Sequence, residues 1–256
     1  MTSIHPTAVV DATAELDSDV AVGPYAVIGP RVQVGARSSI GPHVVIRGPT
    51  RIGADNRIFQ FASVGEDPQD KKYGGEETFL TIGDRNVIRE YVTLNRGTVQ
   101  GAGETRIGNN NLFMAYSHVA HDCQLGDQVI MANAASLAGH IEVQDWAILG
   151  GFTIVHQLCR IGPHCFCAMG SVVTKDVPPY VIIGGHPAQP RGINTEGLRR
   201  CGIDAATIQQ IKNAYRLLYL SDRKLEEAVA AMRALGNARV DQLADFVADR
   251  SRSIVR

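Results

Sequence analysis

Every sixth residue of this chain is apolar over long uninterrupted stretches, and few folds accept that period. The positions run Ile4, Val10, Leu16, Val22, Ile28, Val34, Ile40, Ile46, Ile52, Ile58 and Val64; then Ile82, Ile88 and Leu94; then Ile107, Phe113, Val119, Leu125, Met131, Leu137, Val143, Leu149, Val155, Ile161, Cys167 and Val173. None is polar, in a chain that is 45% hydrophobic. A small or β-branched residue usually sits four after each of these heads (Ala8, Ala14, Val20, Ala26, Val32), and Gly often follows directly (Gly23, Gly29, Gly35, Gly41, Gly53). So short a unit makes one brief strand and a turn. It cannot bury its own head, but stacked units bury a continuous column. The glycines are expected to supply turn geometry that other residues resist. A sandwich of period-2 strands would let the phase drift between strands; here it holds. The expected fold is an all-β solenoid with three hexads per coil, so that residues eighteen apart lie one above the other.

Composition fits around that frame. The 256 residues carry 25 Lys and Arg against 26 Asp and Glu, a net charge of −1. That balance argues against a nucleic-acid or other polyanion partner. The N-terminus holds Asp11, Glu15, Asp17 and Asp19 and no cationic, then apolar, leader, so no secretory signal is expected. No apolar run approaches the ~20 residues of a membrane-spanning helix. The five cysteines lack CxxC spacing. Cys123 and Cys159 fall in one column two coils apart, roughly 9–10 Å, too far for a disulfide. Free thiols in a reducing cytoplasm are the expectation.

The hexads end near Val173, and a Pro-rich exit follows (Asp176-Val177-Pro178-Pro179-Tyr180). From about Asn194 the period turns helical. Asp204 is the expected N-cap of a helix through Ile208, Ile211 and Tyr219. Ser221 or Asp222 is expected to start a second helix that stops at Gly236, and a third covers about Val240 to Asp249. These helices should cap the solenoid's end, whose strand edges would otherwise be exposed. The expected division is a solenoid over residues 1–190 and a helical unit over 191–256. Insertions at 65–81 and 95–106 interrupt the solenoid. Insertions in repeat proteins loop out from one face, often the binding face.

Coil stacking also collects chemistry. His121 and Asp122 should lie under Gly139 and His140, with His156 and Gln157 one coil further and His118 beside them. Histidines gathered on a stiff wall suit general-base work near neutral pH, and an adjoining carboxylate fixes the tautomer of the ring. His118 and His121 with His140 or His156 also make a conceivable zinc set, but their places in the hexad do not aim them at one point.

The motif set closely resembles the UDP-N-acetylglucosamine O-acyltransferases that begin lipid A synthesis. The resemblance spans essentially the whole chain: His-Val-Ala-His-Asp-Cys (118–123), Leu-Ala-Gly-His (137–140), Val-His-Gln (155–157), Asn-Arg-Gly-Thr-Val-Gln-Gly (95–101), Asp-Val-Pro-Pro-Tyr (176–180) and Asn-Thr-Glu-Gly-Leu-Arg-Arg (194–200). With no further domain before Ile4, the related N-acyltransferase of that pathway fits less well. The resemblance implies a left-handed parallel β-helix, an exception to right-handed crossovers, with a small α-helical C-terminal domain. It also implies a homotrimer with active sites between subunits. The implied reaction moves an (R)-3-hydroxyacyl group from acyl carrier protein to the glucosamine 3-hydroxyl of UDP-N-acetylglucosamine. By the same resemblance His121 is the general base, Asp122 its orienting carboxylate and the Gly139 amide the oxyanion donor. Asp70 and Lys72 contact the sugar. His118, His140, His156, Gln157, Asn194, Glu196 and Arg200 bind the nucleotide sugar or the pantetheine arm. No metal or dissociable cofactor is implied, because the thioester is already activated.

Met169 aligns with the position that limits acyl-chain depth, where long-chain members carry Gly, so a chain shorter than C14 is expected. Three positions depart from the common pattern: Cys201 for an Arg, Asn95 for a frequent His, and Lys71 for a usual Leu. They put affinity in question and leave the reaction class intact. An acidic carrier protein calls for a basic surface, and Arg191, Arg199, Arg200, Arg250, Arg252 and Arg256 are the candidates. The competing readings are a hexapeptide enzyme with an acyl-coenzyme A donor and a non-catalytic scaffold or ice-binding surface. The scaffold does not need clustered histidines, and the ice binder would carry ordered Thr arrays, which the chain lacks.

Overall fold

The computed structural model describes residues 1–249 and 251–256. The chain winds into a left-handed parallel β-helix of short strands, which form three sheets of eleven, nine and eight strands. These are called the first, second and third sheets, in the order the chain meets them. Each strand pairs in parallel with the strand one coil later: Ser3 with Ala21, Val9 with Val27, Glu15 with Gln33. The spacing is 18 residues except at the insertions and in the last coil, where Phe166 pairs with Ile182. At the insertions Arg57 pairs with Val87 and Thr93 with His118, so two coils lengthen to 30 and 25 residues.

Every head from Val22 to Val173 is buried. The first three are not: Ile4 is 48% exposed, and Val10 and Leu16 are half-buried, because no coil lies before them. The left-handed turn residue is not the glycine after the head. It falls three after the head, and ordinary side chains fill it: Tyr25 at φ 58°, Phe61 at 63°, Trp146 at 62°. The strain, roughly 1–2 kcal/mol for an L-residue, is offset locally. The turn amide donates to the preceding coil (Arg37 to the Ser18 carbonyl, 3.0 Å; Trp146 to Asp127, 2.9 Å). Its side chain also stacks on the next: Tyr25, His43, Phe61, Tyr91 and Tyr116 form a column with ring centroids 4.9–5.1 Å apart. The glycines answer to crowding between coils instead. A Cβ on Gly35 would stand 2.6 Å from the Gly53 carbonyl carbon, and one on Gly126 would stand 2.1 Å from Asp145 Oδ1.

Where the coils lengthen, the small inward residue gives way to a buried asparagine ladder. Asn56 Oδ1 accepts from the Asn86 amide at 2.9 Å, Asn86 Oδ1 from the Asn111 amide at 2.9 Å, and Asn111 Oδ1 from the Val129 amide at 2.6 Å. Outward residues differ by face. The third sheet presents Glu15, Gln33, Arg51, Arg106, Gln124, Glu142 and Arg160. The later strands of the first sheet present Leu112, Ile130, Ile148, Phe166 and Ile182, and the second presents Val9, Val27, Val45, Ile154 and Val172.

The Pro-rich exit builds structure. Val181–Gly185 joins the first sheet and folds back antiparallel on Ala188–Ile193. Four helices follow: α1 (Thr195–Arg200), α2 (Ala205–Tyr219), α3 (Leu225–Arg233) and α4 (Ala238–Ala248). Asp204 caps α2 as expected, accepting from the Thr207 amide at 2.9 Å. The second expected helix begins later than Ser221 or Asp222. The Ser221 hydroxyl donates back to the Leu217 carbonyl at 2.6 Å, so it finishes α2, and Lys224 starts α3 with its amide held by the Glu227 carboxylate at 3.2 Å. Tyr180, Leu198, Ile208, Ile211, Leu218 and Leu243 form the helical core against the last coil. Arg160 ties the two parts together: its Nε reaches Asp176 at 2.8 Å, its Nη1 reaches Asp249 at 2.5 Å, and its guanidinium lies over Phe246. Among the described residues no helix is long and apolar enough to cross a membrane.

Candidate active site

His121 and Asp122 occupy the corner between the second and third sheets, just after the head Val119. Asp122 takes the left-handed turn position at φ 60°, a conformation Asp tolerates better than most residues. In a regular coil its amide would donate to the coil before. Here the second insertion stands in that place, and the Thr105 hydroxyl accepts the bond at 2.8 Å. The Asp122 side chain is 1% exposed, and its Oδ2 sits 2.8 Å from His121 Nδ1. Burial works to raise its carboxyl; the Thr98 hydroxyl, the His121 ring and the Thr98 amide outweigh burial and hold it below the ordinary value. Asp122 is therefore a carboxylate near neutral pH.

The next coil supplies the roof. His140 donates its amide to the His121 carbonyl at 3.0 Å, and Leu158 donates to the Gly139 carbonyl at 3.1 Å, so His121, Gly139 and Gln157 stand in vertical register as expected. Gly139 is required there. A Cβ would lie 2.5 Å from His121 Cε1 and 2.7 Å from Nε2. Among the described residues no protein acceptor takes the Gly139 amide. The His140 ring meets His121 edge-on with centroids 5.0 Å apart, and its Nδ1 is 3.8 Å from Asp122 Oδ2. His118 faces Thr93 Oγ1 at 2.7 Å; burial, then the neighbouring His121, push its pKa down, favouring the neutral ring. His156 and Gln157 continue the edge one coil on, with His156 exposed. Beside the edge lies a cavity of 490 Å³ bounded by Glu104, Arg106, His140 and Glu142.

Other expected site residues lie elsewhere in the chain. Asp70 and Lys72 form a turn in the first insertion, the Lys72 amide donating to Asp70 Oδ1 at 3.0 Å. Asn194, Glu196 and Arg200 border a 520 Å³ groove over the first sheet with Trp146, Ile148, His164 and Phe166. The Asn194 side chain is already engaged, accepting from the Gly197 amide at 3.0 Å and donating to the His164 carbonyl at 2.9 Å. Met169 stands 76% exposed at the corner between the first and second sheets. The grouping a metal ion could use is His121, Asp122 and His140, rather than His118 with His121.

Two family models match: the one described as Udp N-acetylglucosamine O-acyltransferase, Domain 2, over residues 176–255, and the bacterial transferase hexapeptide, over 13–48. The acyl-[acyl-carrier-protein]–UDP-N-acetylglucosamine O-acyltransferases of Alkalilimnicola ehrlichii and Janthinobacterium sp. are 58% and 56% identical over 100% of both chains. The chain belongs to the UDP-N-acetylglucosamine O-acyltransferase family. It is an acyltransferase. Solved UDP-N-acetylglucosamine O-acyltransferase structures agree along the length. That from Moraxella catarrhalis has a TM-score of 0.96 at 43% identity, covering 99% of each chain. The Acinetobacter baumannii structure gives 0.96 at 45%, again covering 99% of each.

Within this UDP-N-acetylglucosamine O-acyltransferase, the departures from the common pattern take on local roles. Asn95 Nδ2 donates to the Asp67 carbonyl at 2.7 Å, and the buried Arg96 beside it reaches the Gly65 carbonyl at 2.6 Å, the Tyr73 hydroxyl at 3.1 Å and the Asp67 carboxylate. The second insertion thereby holds the first. Cys201 closes α1, its amide donating to the Gly197 carbonyl at 3.1 Å, and Lys71 is exposed. Of the basic candidates, Arg252 faces Asp176 at 3.8 Å and Arg256 donates to the Leu218 carbonyl at 3.3 Å, so both serve the fold; Arg250 lies outside the described residues. Arg191, Arg199 and Arg200 are exposed. Sequence reasoning missed Thr98, Thr105 and Arg96. The quoted run 95–101 contains two of them, but the insertion breaks the eighteen-residue rule that says what lies above what.

Proposed function

We propose that the His121–Asp122–Gly139 edge is where this acyltransferase passes an (R)-3-hydroxyacyl group from acyl carrier protein to the glucosamine 3-hydroxyl of UDP-N-acetylglucosamine. The observation that carries it is one ring with two neighbours: His121, 2.8 Å from a carboxylate on one side and packed against Gly139 on the other. His121 Nε2 takes the hydroxyl proton as the sugar oxygen attacks the thioester carbonyl. The Gly139 N–H stabilises the tetrahedral oxyanion. Collapse expels the pantetheine thiolate, which recovers the proton from the imidazolium that Asp122 has steadied. Replacing His121 with Ala is expected to lower turnover by about 10²–10⁴-fold while melting temperature and oligomeric state stay as they were. Wild-type turnover in that assay should require the acyl carrier protein thioester. Equal turnover with the coenzyme A thioester would favour the alternative donor, and an active His121→Ala would sink the assignment of the base.

A homotrimer is the assembly we infer. Apolar outward residues cover parts of the first and second sheets, whereas the third is charged, which suits packing around an axis near the first–second corner. The second sheet of one copy then meets the first sheet of the next. His121, on the outer edge of one, faces the groove of Asn194, Glu196 and Arg200 on the other, while Met169 lies toward the axis at the inner end of the shared cleft. Asp70, Lys72, His118, His140, His156 and Gln157 are read as substrate contacts. Met169 is read as the stop that favours hydroxyacyl chains below C14, and Arg191, Arg199 and Arg200 as the carrier-facing surface. We take residues 1–190 as the catalytic solenoid, 191–256 as its helical end unit, and the cytoplasm as its place of work.

A further inference from the structure

The second insertion closes over the Asp122 carboxylate. Thr98, 1% exposed, donates its hydroxyl to Asp122 Oδ2 at 2.6 Å and its amide to Oδ1 and Oδ2 at 3.1 Å. Oδ2 is the oxygen that faces His121 Nδ1. Behind it, a Cβ on Gly101 would stand 2.4 Å from that carboxylate, so the loop wraps the group without a gap. The loop is itself braced, through Arg96, against the first insertion.

We propose that Thr98 is a positioning residue for acyl transfer: by donating to both carboxylate oxygens of Asp122, including the one that meets the ring, it fixes the carboxylate rotamer and so the direction of His121. This rests on His121 being the base. A carboxylate offers about four lone-pair sites. Among the described residues, Thr98 and His121 donate to Oδ1 and Oδ2, with His140 more distant. Without the hydroxyl, the buried carboxylate keeps only the longer contacts from the Thr98 amide and the ring; it turns toward them, and the ring turns with it. Nothing in this touches substrate, so the role is one of orientation.

The test is Thr98→Val beside Thr98→Ser and His121→Ala in the same assay. Thr98→Val is expected to lower kcat by about 10- to 100-fold, the range seen when outer partners of a catalytic group are lost, with KM for the nucleotide sugar within about twofold of wild type. Thr98→Ser, which keeps the donor, should restore kcat. The low-pH limb of the rate profile should move to higher pH in the Val variant, because Asp122 without its hydroxyl donor holds a proton on its partner ring more strongly. The other titratable groups facing the pair are His140, His118, Glu104, Arg106 and Glu142; the Ser variant leaves them unchanged and serves as the control. Thr98→Ala removes the donor without setting a methyl against the carboxylate, and stands in if the Val protein does not fold. A donor-less variant with kcat within twofold of wild type and an unmoved acid limb overturns the proposal, as do Ser and Val variants that are equally impaired. A His121→Ala enzyme that still turns over overturns the underlying assignment instead, and the two failures are told apart by which protein stays active.

Discussion

At the residue scale the chain shows how little side chain a site needs when the backbone is rigid. Gly139 contributes no atoms beyond the main chain, yet it decides what surrounds His121, since any Cβ would collide with the ring. Met169 is the opposite case, a large flexible side chain on an exposed corner. If it ends the acyl groove, Met169→Gly should shift preference toward hydroxyacyl chains longer by several carbons, measured as kcat/KM across a ladder of acyl carrier protein thioesters. Each buried methylene gained is worth about 0.8 kcal/mol, so a longer chain should gain severalfold per carbon; an unchanged ladder would dismiss the stop. The His121 column was legible in the sequence because regular coils turn an offset of eighteen residues into vertical adjacency. Thr98 was not legible, because it arrives on an irregular loop. The proposed substrate contacts Asn194, Glu196 and Arg200 rest on resemblance alone. They border a groove over the first sheet, away from the His121 corner, and an offset of eighteen residues does not join one face to another.

At the element scale the period delivered the strands and misplaced the reason for one of its residues. Glycine after many of the heads looked like turn chemistry, but turns are made by Tyr, Phe, Arg and His, while glycine permits close approach of one coil to the next. A hexad pattern reports which positions are crowded without reporting by what. The asparagine ladder was also hidden, since polar residues at inward positions break the pattern rather than announce it. Its worth can be measured. Asn86 accepts from the Asn111 amide and donates through Nδ2 to Asn56 Oδ1 at 3.1 Å, both buried, and to the Gly108 carbonyl at 3.0 Å, half-buried. Asn86→Ala should cost roughly 2–4 kcal/mol, because stranded buried partners lose about 1–3 kcal/mol each. A fall in urea midpoint at constant slope would register that loss, and a change below 0.5 kcal/mol would mean that water replaces the ladder.

At the scale of the whole molecule, solenoid and helical unit are joined through His164. It is 5% exposed, stacked between Trp146 and Tyr180, with Asn194 on its carbonyl. Burial, then the Arg239 guanidinium, push its pKa down to about 4, against a small opposing pull from Asp145. In the unfolded chain it takes a proton near 6.5. Between pH 6.5 and 4 the unfolded state therefore binds more protons, and stability falls as pH falls through that window, by up to about 3 kcal/mol. His118, lowered in the same direction, adds to the slope. The comparison that isolates His164 is unfolding free energy at pH 7 and pH 4.5 for wild type and His164→Gln; the variant should lose less on acidification, and parallel curves would refute the linkage.

Because each rung hydrogen-bonds only to the rungs before and after it, the height of the prism is set in steps of one revolution. Adding or removing eighteen consecutive residues leaves every remaining side chain facing as before, whereas any other length has to loop out of the winding, as residues 65–81 and 95–106 do, for the later heads to stay buried. Variation within the wall is therefore quantised: an added full winding between them moves the His121 edge and the helical end apart by one sheet spacing, about 4.8 Å, without altering either.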